Sequence, residues 1–111
     1  MNTKLINKII KFRDDRNWSQ YHNPKDLVIS LSLEASELLE LFQWNSSEET
    51  VNNNLDEIKE ELADVLIYSI LLSDRLDIDI EKIIKDKLEK SKEKYPVEKA
   101  YNSKEKYDEL K

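Results

Sequence analysis

The chain has no cysteine and no glycine, and only two prolines, Pro24 and Pro96, in 111 residues. Without cysteine there is neither a disulfide framework nor a thiolate metal site. Without glycine, tight β-hairpins lose the residue that most readily takes positive φ, which weighs against a β-rich fold. No apolar run approaches the ~20 residues needed to span a bilayer. The longest weakly charged stretch, 62–73, already contains Asp64. A basic face, the mark of a nucleic-acid binder, is missing too, since the net charge is −6. Residues 1–12, MNTKLINKIIKF, carry lysines through each apolar run and do not read as a signal peptide. The expectation is a cytoplasmic protein whose partners include neither membrane nor nucleic acid.

What the chain does have is charge and helix-forming residues. Charged side chains make up 38% of it, and Leu, Ile, Glu and Lys dominate, the composition of amphipathic helices. Apolar periodicity predicts four of them. The first covers about 3–16, with Leu5, Ile6, Ile9 and Ile10 at helical spacing. A loop over 17–23 carries two aromatics and the only histidine, His22. The second helix begins at Asn23-Pro24, an N-cap followed by a proline suited to the first turn, and runs to about 44. Ser46 and Glu49 form a capping box for the next helix. That third helix covers about 51–76, and the poorly helical 52–54 allows a start later than 51. Its Val51, Leu55, Ile58, Leu62, Val65, Ser69, Leu72 and Leu76 alternate steps of four and three, a seam for helix packing. The fourth starts at Asp79 and ends before Pro96, because a residue preceding proline disfavours the α conformation.

Two of these helices carry carboxylates where burial is expected. In 27–39 the only charges are Glu34 and Glu37. At about 100° per residue, Glu34 falls within the stripe of Leu27, Leu31, Leu38 and Leu41, with Glu37 on its flank. In 62–73 the only charge is Asp64, with Glu61 three residues before it on the same face. Acidic residues number 24 of 111, so pairs at i, i+3 also arise by chance, as Glu57 and Glu60 do on a solvated face. Glu34 and Asp64 differ because no Lys or Arg in either run can pair with them. A carboxylate buried alone must be neutral, paired or bound to metal. Oxygen donors without cysteine favour a hard cation, Mg²⁺ or Mn²⁺. A di-iron site would need Glu-x-x-His on facing helices, and an EF-hand would need its loop glycine.

The two motifs, Glu34-Ala35-Ser36-Glu37 and Glu61-Leu62-Ala63-Asp64, resemble the Glu-x-x-Glu and Glu-x-x-Asp pattern of the MazG-like, all-α nucleoside triphosphate pyrophosphohydrolases. The flanking Phe42-Gln43-Trp44, the loop Trp18-Ser19-Gln20-Tyr21-His22-Asn23-Pro24 and the segment Lys94-Tyr95-Pro96-Val97 are similar to the deoxycytidine triphosphate pyrophosphatase branch. The likeness runs over about residues 4–110. Two positions depart from that branch: Ser91 stands where Asn is common, and Ile9 where its first helix has His.

The resemblance implies an all-α, four-helix MazG-like bundle assembling as a homodimer or homotetramer. Residues 1–96 would form the catalytic domain and 97–111 a charged tail. It implies Mg²⁺ held by Glu34, Glu37, Glu61 and Asp64, with Glu37 or Glu61 orienting or deprotonating a water. Trp18, Trp44 and Tyr68 would line the base and sugar pocket, and His22, Lys94 and Tyr95 would also meet the substrate. That substrate would be a nucleoside triphosphate, dCTP or a related pyrimidine, cleaved to monophosphate and pyrophosphate. The competing expectation is a non-enzymatic helical interaction module that uses the 51–76 seam for a partner.

Overall fold

The computed structural model describes residues 2–111, and among them there are helices and turns but no strand. The elements are α1 (Thr3–Asp15), a 3₁₀ turn (Trp18–Tyr21), α2 (Pro24–Phe42), α3 (Ser47–Arg75), α4 (Ile80–Lys94) and a short α5 (Val97–Ala100). The chain divides into two compact units, one ending at Ile78 and the other Asp79–Lys111. The expected domain limit at residue 96 falls just past the end of α4. No helix among the described residues is long and apolar enough to cross a membrane.

Each helix start has a local cause. The Asn2 side chain accepts from the Lys4 amide at 2.7 Å and opens α1. Asn23 accepts from the Asp26 amide at 2.9 Å, and its own amide donates to the Asp26 carboxylate at 2.7 Å. Pro24 takes the first position, where no amide hydrogen is required. Ser46 accepts from the Glu49 amide at 3.1 Å. That cap starts α3 at Ser47, four residues before the expected start near Val51. The buried Thr50 secures it further, its hydroxyl lying within reach of the Leu41 and Ser46 carbonyls. The asparagines at 52–54 therefore sit inside the helix. Their poor propensity survives as a kink, since Asn54 leaves helical geometry at φ −129°, ψ 25°.

In a chain without glycine, left-handed backbone positions fall to other residues. Asn17, Asp77 and Asn102 take three of them, as suits their short polar side chains. Trp44 takes another, at φ 69°, where a bulky side chain is strained. This turn stops α2 at Phe42 instead of near 44.

In the first unit, α2 packs on α3, and α1 packs on α3 and the 3₁₀ turn. Leu27, Ile70 and Leu71 are its buried apolar side chains. Arg13, also buried, crosses from α1 to the Asp74 carboxylate on α3 at 2.7 Å and holds Asp14 at 2.9 Å. The core is small because much apolar surface stays outside it. Along the α3 seam, Ile58, Val65, Ser69 and Leu72 are half-buried, whereas Val51, Leu55, Leu62 and Leu76 are exposed. Val28, Ile29, Leu33 and Leu39 of α2 are exposed as well.

In the second unit, Asp79 caps α4 by accepting from the Lys82 amide at 3.2 Å. The helix stops at Lys94, before Pro96. The tail is not featureless: α5 is a single helical turn, and the Tyr107 ring meets Tyr95 edge-on at 6.3 Å.

Candidate metal centre and adjoining cleft

Packing α2 on α3 brings both acidic motifs together. Glu34, Glu61 and Asp64, all half-buried, each offer an oxygen within 4.8 Å of the others. Glu37, one turn after Glu34, is itself exposed and stands at the edge of this set. Desolvation pushes the Glu34 carboxyl up to about 7, and the neighbouring Glu37, Glu61 and Asp64 add to the effect. The Glu61 carboxyl is raised too, first by desolvation and then by Glu37. All four acids thus form one electrostatic group, although three make its tight centre.

That group lacks internal compensation. Among the described residues, none of the four forms an ion pair. One oxygen each of Glu34 and Glu61, Oε2 in both, is buried with no hydrogen-bond partner. Orphaned acceptors of this kind need an explanation. Converging carboxylates can share protons or bind a cation, and an all-oxygen donor set fits a hard divalent ion. The residues present therefore fit a divalent metal.

Beside the cluster lies a cleft of about 380 Å³ between α1, the 3₁₀ turn and α3. Ile9, Phe12, Trp18, Ile67, Tyr68 and Leu71 supply its apolar wall, and Lys8, Arg13, His22 and Asp64 its polar groups. Asp64 belongs to both cleft and cluster. The aromatic corner is ordered by its own contacts. Phe12 and Trp18 meet edge to face at 5.6 Å, and the Arg16 guanidinium lies 3.8 Å from the Phe12 ring centre. Arg75 Nε donates to the His22 carbonyl at 3.1 Å and ties the turn to α3.

Of the residues singled out in the sequence, Trp18, His22, Tyr68 and Asp64 meet in this cleft. Trp44 does not line it and is 92% exposed. Lys94 and Tyr95 lie in the second unit, where Lys94 Nζ sits 4.7 Å from the Tyr107 ring centre. Phe12, Arg13, Ile67 and Leu71 were not singled out as site residues. Arg13 stands four residues after Ile9 and therefore shares its helical face, a signal that spacing does carry.

Residues 29–110 match the model of the MazG-like family. The chain is 38% identical over 77 residues to dCTP pyrophosphatase 1 of Rattus norvegicus, covering 65% of this chain and 45% of that protein. It is 37% identical over 75 residues to dCTP pyrophosphatase 1 of Homo sapiens, covering 63% and 44%. It thus spans less than half the length of these curated relatives. A crystal structure of a pyrophosphatase from Archaeoglobus fulgidus superposes with a TM-score of 0.79 at 44% identity, over 84% of this chain and 90% of that one. With its paired acidic motifs on α2 and α3 and a family match over most of its length, the chain belongs to the MazG-like family.

Proposed function

We propose that the chain is a Mg²⁺-dependent nucleoside triphosphate pyrophosphohydrolase. It would cut the α–β phosphoanhydride bond of dCTP or a related pyrimidine nucleotide. One observation carries this reading: Asp64 is shared by the carboxylate cluster and the apolar, aromatic cleft. A triphosphate and its nucleoside need two such compartments side by side. The names of the relatives support the same chemistry.

Glu34, Glu61 and Asp64, with Glu37 beside them, would hold the cation. When bound, it supplies positive charge for the phosphates and lowers the pKa of water. That accounts for a polyanion binding to a protein of net charge −6. Water attacks the α-phosphorus in line, its proton passes to a carboxylate, and pyrophosphate leaves. Glu37 is favoured as the acceptor because it borders the cluster yet remains exposed, with Glu61 the other candidate. Trp18 and Tyr68 pack against base and sugar.

The expected result is conversion of a pyrimidine deoxynucleoside triphosphate to monophosphate and pyrophosphate with Mg²⁺, read by chromatography across a nucleotide panel. Orthophosphate plus a diphosphate would mean a different bond is cut. No turnover of any nucleotide would favour the helical interaction module.

Assembly belongs to the same proposal. The exposed apolar residues of α2 and the half-open α3 seam call for a partner, and the reading is a homodimer or homotetramer. Trp44, strained and almost fully exposed, would reach the nucleotide site of a second copy. Sedimentation should show a species larger than the 13.2 kDa monomer at micromolar concentration. Trp44→Ala should weaken nucleotide binding about tenfold or more, the order of one lost base stack. Mixing Trp44→Ala with Asp64→Asn chains should restore part of the activity. A fully active monomer would remove the shared-site reading.

A further inference from the structure

We infer that Arg13 determines base specificity: its guanidinium offers a fixed face of N–H donors to the cleft and pairs with the acceptor edge of a cytosine, O2 and N3. This rests on the nucleotide reading of the cleft and adds to it a specificity-determining residue on α1.

A guanidinium carries five N–H donors and no acceptor, and it stays charged. Arg13 is 8% exposed and lines the cleft. Its Nε donates to Asp14 Oδ1 at 2.9 Å and its Nη1 to Asp74 Oδ2 at 2.7 Å. These anchors, one beside it on α1 and one across on α3, fix the plane of the group. Nη2 takes no hydrogen-bond partner among the described residues, yet it is not sealed from solvent. Burial and then the Arg13 charge hold the His22 imidazole below its ordinary pKa, which sets the guanidinium beside another group of the cleft. A ligand in the cleft is the acceptor within reach of Nη2.

The charge around Arg13 selects the kind of acceptor. One positive charge against the two of Asp14 and Asp74 leaves the trio at −1. Asp64 adds a further negative group to the lining. Lys8, the other cation there, is exposed, where water and salt screen it. A phosphate brought to Arg13 would meet net repulsion, so the phosphates belong at the carboxylate cluster with its cation. A neutral acceptor meets no such repulsion and gains a charge-assisted hydrogen bond. The apolar wall of Phe12, Ile67 and Leu71 suits a flat heterocycle. Cytosine offers adjacent acceptors at O2 and N3. In uracil N3 carries a hydrogen, which would face the guanidinium as donor against donor. A polar group left unpaired in this way discriminates more strongly than apolar fit does.

Calorimetric binding of α,β-imido nucleotide analogues with Mg²⁺ tests this. The wild-type protein should bind the dCTP analogue about tenfold or more tightly than its 3-deaza counterpart, in which C–H replaces N3, the order of one hydrogen bond to a charged donor. Preference over the dUTP analogue should be larger still, since its N3–H opposes the guanidinium. Arg13→Met, which keeps an unbranched apolar stem, should bind the cytosine and 3-deaza analogues alike, while its affinity for tripolyphosphate with Mg²⁺ stays that of the parent. A purely structural role for Arg13 would weaken all of these ligands together and leave the N3 preference intact, and that result would overturn the inference. Equal binding of the cytosine and 3-deaza analogues by the wild-type protein would overturn it as well, whether or not Arg13→Met folds, and the nucleotide reading would still stand. Failure of the wild-type protein to bind any of the nucleotide analogues would remove both.

Discussion

Glu61→Gln, or Asp64→Asn, should lower pyrophosphohydrolase turnover by about a hundredfold or more while leaving the far-UV spectrum helical. The expectation comes from where these oxygens lie. Glu34, Glu61 and Asp64 converge within 4.8 Å, so each amide removes a negative oxygen from the centre of the group. About a hundredfold is the order found when one preorganised electrostatic contact is taken from an active site. The helices should survive, because amides of the same shape relieve repulsion instead of creating it. Glu60→Gln is the matching control. It neighbours Glu61 in sequence but is exposed and stands outside the converging set, and its turnover should stay near that of the parent. Glu34→Gln should resemble Glu61→Gln, whereas Glu37→Gln separates the roles: loss of turnover with metal affinity retained would mark Glu37 as the proton acceptor. Near-normal turnover in both Glu61→Gln and Asp64→Asn would rule out the assigned centre.

Without divalent ions, the protein should melt several degrees lower at pH 8 than at pH 5, and Mg²⁺ should largely abolish that difference. The Glu34 carboxyl is raised from an ordinary 4.5 to about 7 in the folded chain. A group with a raised folded pKa binds protons more tightly when folded. Its contribution to stability is therefore complete below pH 4.5 and is lost as pH climbs through about 7. The Glu61 carboxyl shifts in the same direction and adds to the trend. A bound cation takes the place of the protons and stabilises the folded state by mass action. Glu34→Gln should flatten the pH dependence without metal and blunt the response to Mg²⁺. Thermal melts across pH, with EDTA and with Mg²⁺, would test this. A profile that rises from pH 5 to pH 8 in EDTA would show that the carboxylates are not crowded as described.

Much of this molecule was legible before its structure. Helix type and the four longer helices came from the 3.6-residue spacing of apolar side chains and from the want of glycine, whereas the 3₁₀ turn and the short α5 did not. The caps at Asn23, Ser46 and Asp79 are short-range hydrogen bonds, so residues three positions apart were enough to find them. The pairing of Glu34 with Asp64 was also foreseeable, because two carboxylates on apolar helix faces have few other ways to be stable.

Tertiary structure alone decided the rest. Arg13 became a buried bridge only because α1 lies against α3, which brings Asp74, 61 residues away, within 2.7 Å. His22 looked like a loop residue in the sequence, and only the closure of the 3₁₀ turn against α1 and α3 buries one of its nitrogens. Trp44 was expected to close α2, but the left-handed turn at that residue turned it out to 92% exposure. Asp64 joined the carboxylate cluster to the cleft because three elements meet at its side chain. The sequence by itself determined which faces had to be buried and which charges would resist burial, since both depend on periodicity along one helix. Which distant groups those charges would face was settled by packing, because it depends on where separate helices cross, and no spacing along a single helix encodes that.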